Sequence, residues 1–370
     1  MKQASLSTLL YAPIFLLLSA CGGGAGETSN ESATASADEP AASAADEPVA
    51  PTAEALRWRP GPAPAPPPGP NPGATDAARI AAATSTAQGT TNACATVRPF
   101  YWEIGRRDGK LASGSVNSSA STLTITATMP MSVASASKWI YGAYVAQRRN
   151  GVLNADDITL LSMRGGYTHF DTCLQDQTVD ACLAYGTNGV YDPATAGKFD
   201  YDGGHMEKHA SLMGLGPMNN KALAGAIQGQ IGTDVKLGYG QPQLAGGAYA
   251  SADAYALFLR KLLGGQLRMG ALLGSTPVCT NRLTCPAGQA IFAPVPPNES
   301  WHYSVGHWVE DDAVVGDGAF SSPGALGFYP WIDAGRTTYG VLARAVPAGA
   351  FDSVQCGRLI RKAWMLATPL

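Results

Sequence analysis

The sequence predicts an α+β fold, an antiparallel sheet with a helical lobe, carried by residues 90–370. Strand-like runs lie at the two ends of that segment and helix-like segments lie between them, a separation that builds a sheet with helices packed on it. The segment is also long enough for one core or for a two-lobed domain.

At the first end, RPFYWEIGRRDGKLASGSV (98–116) reads as two strands around Asp108-Gly109, a hairpin signal. STLTITATM (121–129) reads as a further β-rich run. Met131–Arg149 reads as a helix, apolar almost all round from Trp139 to Ala146 and therefore buried on most faces. Arg148 and Arg149 occupy its last turn and Asn150-Gly151 stops it. Gly/Asn-rich loops and short helices run to about Leu237. SADAYALFLRKLLGG (251–265) is the clearest helix, with Ser251 as cap, Asp253 in the first turn and Gly264 at the end. Three strands follow, WHYSVGHWVE (301–310), GALGFYPWID (324–333) and TTYGVLARAV (337–346), before a last helix, SVQCGRLIRKAWML (353–366).

Net charge is −3 and pI about 6.0, so no basic excess exists to neutralise phosphates and nucleic acid is excluded as a partner. Charged residues are only 14%, against 43 Gly and 26 Pro, which points to a biased segment. Lys2 followed by a short apolar core, Leu9–Leu18, reads as an export signal too short to span a membrane comfortably. Residues 22–89 are low in complexity, first Ala/Ser/Glu/Asp and then RPGPAPAPPPGPNPG (59–73). Such a segment buries too little apolar area to offset its chain entropy and reads as a tether. The expected organisation is a signal at 1–20, a tether at 21–89 and a folded domain at 90–370.

Six cysteines fall in the folded part: Cys94, Cys173, Cys182, Cys279, Cys285 and Cys356. An even count in an exported chain argues for disulfides, with fifteen pairings open. Cys173–Cys182 and Cys279–Cys285 would close short loops; Cys94 and Cys356 would then join the two ends of the domain.

The chemistry starts at SVASASKW (132–139). Ser135 and Lys138 are three apart, on one face of a helix. Ser135 lies near the helix start, where free N–H groups and the dipole favour a developing oxyanion. A desolvated lysine beside it can lose its proton and take one from the hydroxyl. Read without that chemistry, the spacing is a polar helix start.

Further segments agree in order. SVASASKWIYGAYV (132–145), FDYDGGHMEKHASLMG (199–214), LAGGAYASADAYALFLRKLLGG (244–265), YSVGHWVE (303–310) and SSPGALGFYPWID (321–333) cover nearly all of the folded part. Together they resemble the serine β-lactamases, penicillin-binding proteins and esterases of the same fold, with the class C β-lactamase-like and family VIII esterase-like branch nearest. The resemblance implies a β-lactamase/transpeptidase-like fold and an acyl-enzyme mechanism. It makes Ser135 the nucleophile, Lys138 its base partner and Tyr201 the phenolate-like base of the Tyr-x-Asn motif. It makes the backbone N–H groups of Ser135 and Ala325 the oxyanion hole, and Gly203, Ser322 and Gly324 substrate-binding positions.

Two of these depart from the pattern: Gly203 stands where Asn is usual, and Ser322 where Lys or His is usual. Without that cation a substrate carboxylate has no counter-charge, so an ester, amide or peptide-like substrate is expected, with esterase or amidase activity rather than efficient β-lactamase activity. The alternative is a non-catalytic envelope lipoprotein that keeps the fold to bind a cell-wall ligand. LSAC (18–21) resembles the lipobox of bacterial lipoproteins, which implies cleavage before Cys21, lipid on its thiol and a cell-envelope location, with the outer membrane or periplasmic side favoured.

His205 and His209 stand one helical turn apart, but the glutamate lies between them rather than beside the first, and no third ligand is evident. They read as helix surface or as support behind Tyr201. No metal or cofactor is expected, and a monomer is. A Cys21→Ala chain should leave the membrane fraction on detergent phase partition; continued partition through an acyl chain of its own would refute lipid attachment at Cys21.

Overall fold

The computed structural model describes residues 71–346 and 349–370; Cys21 and residues 1–70 lie outside the described residues. The first described element is α1 (Asp76–Ala87), capped by the Thr75 side chain on Ala78 N–H. This corrects the tether boundary at 89. The low-complexity run DAARIAAATSTA is alanine-rich, and alanine is the best helix former once a partner surface is offered. The partner is the C-terminal helix. Arg79, itself buried, donates to the Trp364 and Met365 carbonyls at 2.9 Å each, and Asn71 N–H donates to Met365 O.

The hairpin β1 (Phe100–Arg106) and β2 (Gly109–Val116) follows, turning at Arg107-Asp108. Residues 121–130 form no strand, contrary to expectation. Ile125 is buried and its carbonyl accepts from Ser115 Oγ at 2.6 Å, so the run lies along the sheet by side-chain anchors and not by a ladder. The helical lobe carries β3 (Met131–Ser132), α2 (Ser137–Arg148), α3 (Ala155–Leu161), α4 (Val179–Leu183), β4 (Phe199–Asp200), α5 (Gly204–Ala210), α6 (Asn220–Ile231), β5 (Leu237–Tyr239), β6 (Ala248–Ala250), α7 (Ala252–Leu263) and α8 (Met269–Leu272). Asn150 and Gly151, both at positive φ, end α2 as expected. Ser251 sits at the N-cap of α7, but its hydroxyl bonds Asp253 and leaves the helix N–H groups alone.

The chain then lays down β7 (Val278–Cys279), β8 (Ala290–Phe292), β9 (His302–Ser304), β10 (His307–Glu310), β11 (Ala319–Ser321), β12 (Tyr329–Ile332), β13 (Tyr339–Ala343) and α9 (Ala350–Leu366). Eight strands form one antiparallel sheet in the order β2-β1-β13-β12-β11-β10-β9-β7. The N-terminal hairpin thus pairs with the last strand, Trp102 opposite Leu342. Strands β12 and β13 are buried along their whole length because helices cover both faces. Helix α9 packs on the Tyr329 and Trp331 face, where Gly357 approaches so closely that a Cβ would stand 2.5 Å from the Tyr329 ring. Helix α7 packs on the other face, Tyr255 against Phe328 and Arg260 on the Tyr339 hydroxyl.

The structure pairs Cys94 with Cys356, Cys173 with Cys182 and Cys279 with Cys285. The first spans 262 residues and is worth about 5.6 kcal/mol in the chain-entropy model. Helix α9 is further held by buried charge. Arg361 grips Asp317 with two bonds of 2.8 Å, Glu310 with another and the Tyr329 hydroxyl at 2.7 Å, and Arg358 reaches Glu299. Removing one partner strands the others without water. Arg361→Ala should therefore cost about 3–5 kcal/mol in urea unfolding followed by tryptophan fluorescence; a loss under about 1 kcal/mol would show that the network supports nothing.

Candidate active site

The helix expected over 131–149 begins later, at Ser137. Met131 and Ser132 pair with β6, and Val133 N–H donates to Ala248 O at 3.0 Å. Ala134 then takes φ 44°, a left-handed conformation that costs a non-glycine residue energy and reverses the chain. One 3₁₀ turn, Ala134–Ala136, leads into α2. Among the hydrogen bonds that hold this turn are Ser137 Oγ to Ala134 O at 2.6 Å, Tyr255 Oη to Ala136 O at 2.8 Å, and Ala134 N to Ser132 Oγ at 3.3 Å.

The three serines of the motif are thereby sorted. Ser137 donates to Ala134 and accepts from Ala248 N–H, so both its roles are spent on the scaffold. Ser132 accepts from the turn. Ser135, half-buried, faces Lys138, whose Nζ donates to its Oγ at 3.1 Å. Lys138 is itself buried. Its Nζ also donates to Ala245 O at 2.8 Å and lies 4.7 Å from the centroid of the Tyr201 ring. Two donors of the ammonium are used and the rest of the group meets an aromatic face.

Tyr201 follows β4 and precedes α5. Its ring stacks on Trp308 at 5.3 Å and meets the edge of Tyr303, while its N–H donates to Phe292 O. Its hydroxyl makes no hydrogen bond among the described residues and remains available. Trp301, Trp308, Trp331 and Tyr329 are core side chains. Asp202 accepts from Gly204 N–H at 2.7 Å and Phe170 N–H at 3.3 Å; burial pushes its carboxyl upward while these bonds pull it back. At Gly203 a Cβ would meet the Phe170 ring at 3.1 Å, so Phe170 occupies the space a side chain there would use.

Ser322, Gly324 and Ala325 close the site from the end of β11. Ser322 Oγ donates to the Ser135 carbonyl at 3.1 Å. Gly324 lies against the Val133–Ala134 peptide, where a Cβ would stand 2.2 Å from Val133 O. A turn closed by Gly327 N–H to Gly324 O leaves the Ala325 N–H with no acceptor among the described residues.

The histidines of HMEKH are buried, which corrects the surface reading and leaves the supporting one. His205 accepts from Gly165 N–H on Nδ1 and donates to Asp200 O, and burial pushes it down to about 4. His209 donates to Asp157 at 3.0 Å and accepts from Tyr141 at 2.6 Å, tying α5 to α3 and α2. Among the described residues no group of three His, Cys, Asp or Glu side chains gathers as a metal site. Sequence reasoning missed Ala245 and Glu207. Ala245 acts through its carbonyl, which no side chain announces; Glu207 accepts from Leu244 and Ala245 N–H, and the sequence weighed it only against a metal motif.

No protein-family model matches the sequence, and no curated protein matches it. Solved structures do. EstCE1, described as a hydrolase with promiscuous acyltransferase activity, is 13% identical with TM-score 0.58, over 78% of this chain and 99% of its own. A D-amino acid amidase from Ochrobactrum anthropi SV3 is 11% identical with TM-score 0.54, over 76% and 98%. A structure from Bacteroides dorei DSM 17855 assigned as a β-lactamase is 18% identical with TM-score 0.51, over 72% and 93%. The fold is therefore β-lactamase/transpeptidase-like.

Gly324→Ala should lower stability by about 1–3 kcal/mol through overpacking and speed amide exchange across Val133–Lys138. Unchanged exchange there would show that this contact does not restrain the turn.

Proposed function

We propose that the protein is a serine hydrolase that forms an acyl-enzyme on Ser135 from an ester or amide. The observation that carries this is the 3.1 Å approach of the buried Lys138 Nζ to Ser135 Oγ, with the neighbouring serines engaged elsewhere. The likeness in fold to proteins described as a hydrolase and an amidase supports it.

In this reading Lys138, as the neutral amine, takes the hydroxyl proton while Oγ bonds to the substrate carbonyl carbon. The carbonyl oxygen becomes an oxyanion that the Ala325 and Ser135 N–H groups receive, a contribution on the order of 100-fold or more per donor. The proton passes through the Tyr201 hydroxyl to the leaving alcohol or amine as the tetrahedral intermediate collapses. Water then attacks the acyl carbon, gives its proton back along the same route and releases Ser135.

Substrate preference follows from the third motif. Ser322 spends its hydroxyl on the Ser135 carbonyl and offers no positive charge. A neutral acyl compound fits that rim better than a carboxylate-bearing β-lactam or peptide terminus, which would be desolvated without a counter-charge. We place the enzyme at the cell envelope, on a tether lipidated at Cys21.

Ser135→Ala should abolish covalent labelling by a fluorophosphonate, read by intact-mass spectrometry, and Lys138→Ala or Tyr201→Phe should slow ester turnover about a thousandfold or more, since these groups act as a unit. An adduct that persists in Ser135→Ala sinks the mechanism. A folded protein that accepts no acyl donor moves the reading to ligand binding without catalysis.

A further inference from the structure

Glu207 is a carboxylate that packing alone does not explain. It is fully buried on α5, where an apolar side chain would avoid the cost of desolvating a charge. Burial pushes it up to about 8, with hydrogen bonds from Ala245 and Leu244 and the charge of Lys138 acting the other way.

Its contacts run in one direction. Oε1 accepts from two successive peptides, Leu244 N–H at 2.6 Å and Ala245 N–H at 3.3 Å. The carbonyl of that same Ala245 receives Lys138 Nζ at 2.8 Å, and Lys138 Nζ reaches Ser135 Oγ at 3.1 Å. Carboxylate, the two peptides that meet at the Ala245 Cα, ammonium and nucleophile therefore stand in series. The other oxygen, Oε2, has no partner among the described residues. The segment from Gly240 to Gly247 is an irregular turn, and the peptide that carries the Ala245 carbonyl is held from within it by a long bond, Gly246 N–H to Gln243 O at 3.4 Å, so its orientation also depends on how the Leu244 and Ala245 N–H groups are fixed.

We propose that Glu207 is a positioning residue for the acylation step: by clamping the Leu244 and Ala245 N–H groups it sets the Ala245 carbonyl, which holds Lys138 against Ser135. The proposal rests on the acyl-enzyme reading and adds to it a residue that never touches substrate. What it requires of Glu207 is an acceptor oxygen at full side-chain reach. The negative charge is not required, and Oε2 can be exchanged for an amide nitrogen without breaking a contact seen here.

The test compares Glu207→Gln, Glu207→Asp and Glu207→Leu in the full chain. For each, the saturation constant and limiting rate of fluorophosphonate labelling at Ser135 are measured, with thermal unfolding to verify the fold. Asp keeps the charge but is one methylene short of both N–H groups, and Leu has no acceptor. Both should lower the limiting rate about 100-fold, the scale of a 1 Å misplacement, and leave the saturation constant within about threefold. Gln should recover most of that loss. If Leu fails to fold, the Asp and Gln pair decides. Labelling by Asp as fast as by Gln, or by Gln as slow as by Asp, overturns the proposal, the second because an acceptor oxygen at full reach would then not suffice. A wild-type chain that does not label brings down the acyl-enzyme reading and this role with it. A wild-type chain that labels alongside three equally fast variants brings down the positioning role alone.

Discussion

The site depends on bare backbone pressed against bare backbone. Gly306, in the β9–β10 turn, approaches α2 so closely that a Cβ would lie 2.6 Å from Lys138 O, and a Cβ on Gly142 would lie 2.6 Å from Val305 O. Gly324 makes the same approach to Val133 O. These contacts bracket Ser135 and Lys138 along the chain. Side chains at such points would act as springs, able to change rotamer and absorb error; peptide against peptide has no such slack. The distance between nucleophile and base is therefore inherited from the positions of β9, β10 and β11.

That makes rigidity of the sheet a functional matter. Its strands β10 and β11 are secured from below by the Arg358 and Arg361 network, through Glu310 at the end of β10 and Asp317 just before β11. The left-handed Ala134 is affordable for the same reason: a single strained residue is outweighed when Ser137, Tyr255 and β6 each hold a neighbouring peptide.

Much of this was legible. The Asp108-Gly109 hairpin, the α7 segment and the late strands follow from period and turn residues, and Ser135, Lys138, Ser322 and Gly324 from motif order; the structure brings these four into contact around one turn. What was not legible depended on distant partners. The Asp76–Ala87 run looks like linker until α9 exists to receive Arg79. Residues 121–129 have strand composition, but beside the edge strand β2 they are held by a side-chain bond, Ser115 Oγ to Ile125 O, in place of a ladder. The start of α2 was placed at Met131, because a two-residue pairing with β6 leaves no mark on the local sequence. Ala245 and Glu207 were hidden because one works through a peptide oxygen and the other works only on that peptide.

The joining of α1 to α9 has a mechanical consequence. A pull on the chain ahead of residue 71 first loads the Asn71 and Arg79 bonds to the end of α9. If these peel, the force meets Cys94 and crosses its disulfide to Cys356 in α9 before it can draw on β1. The terminal helix pair thus behaves as a strain-relief clamp. Tension arriving from the N-terminal side is shunted into the last helix before it reaches β1.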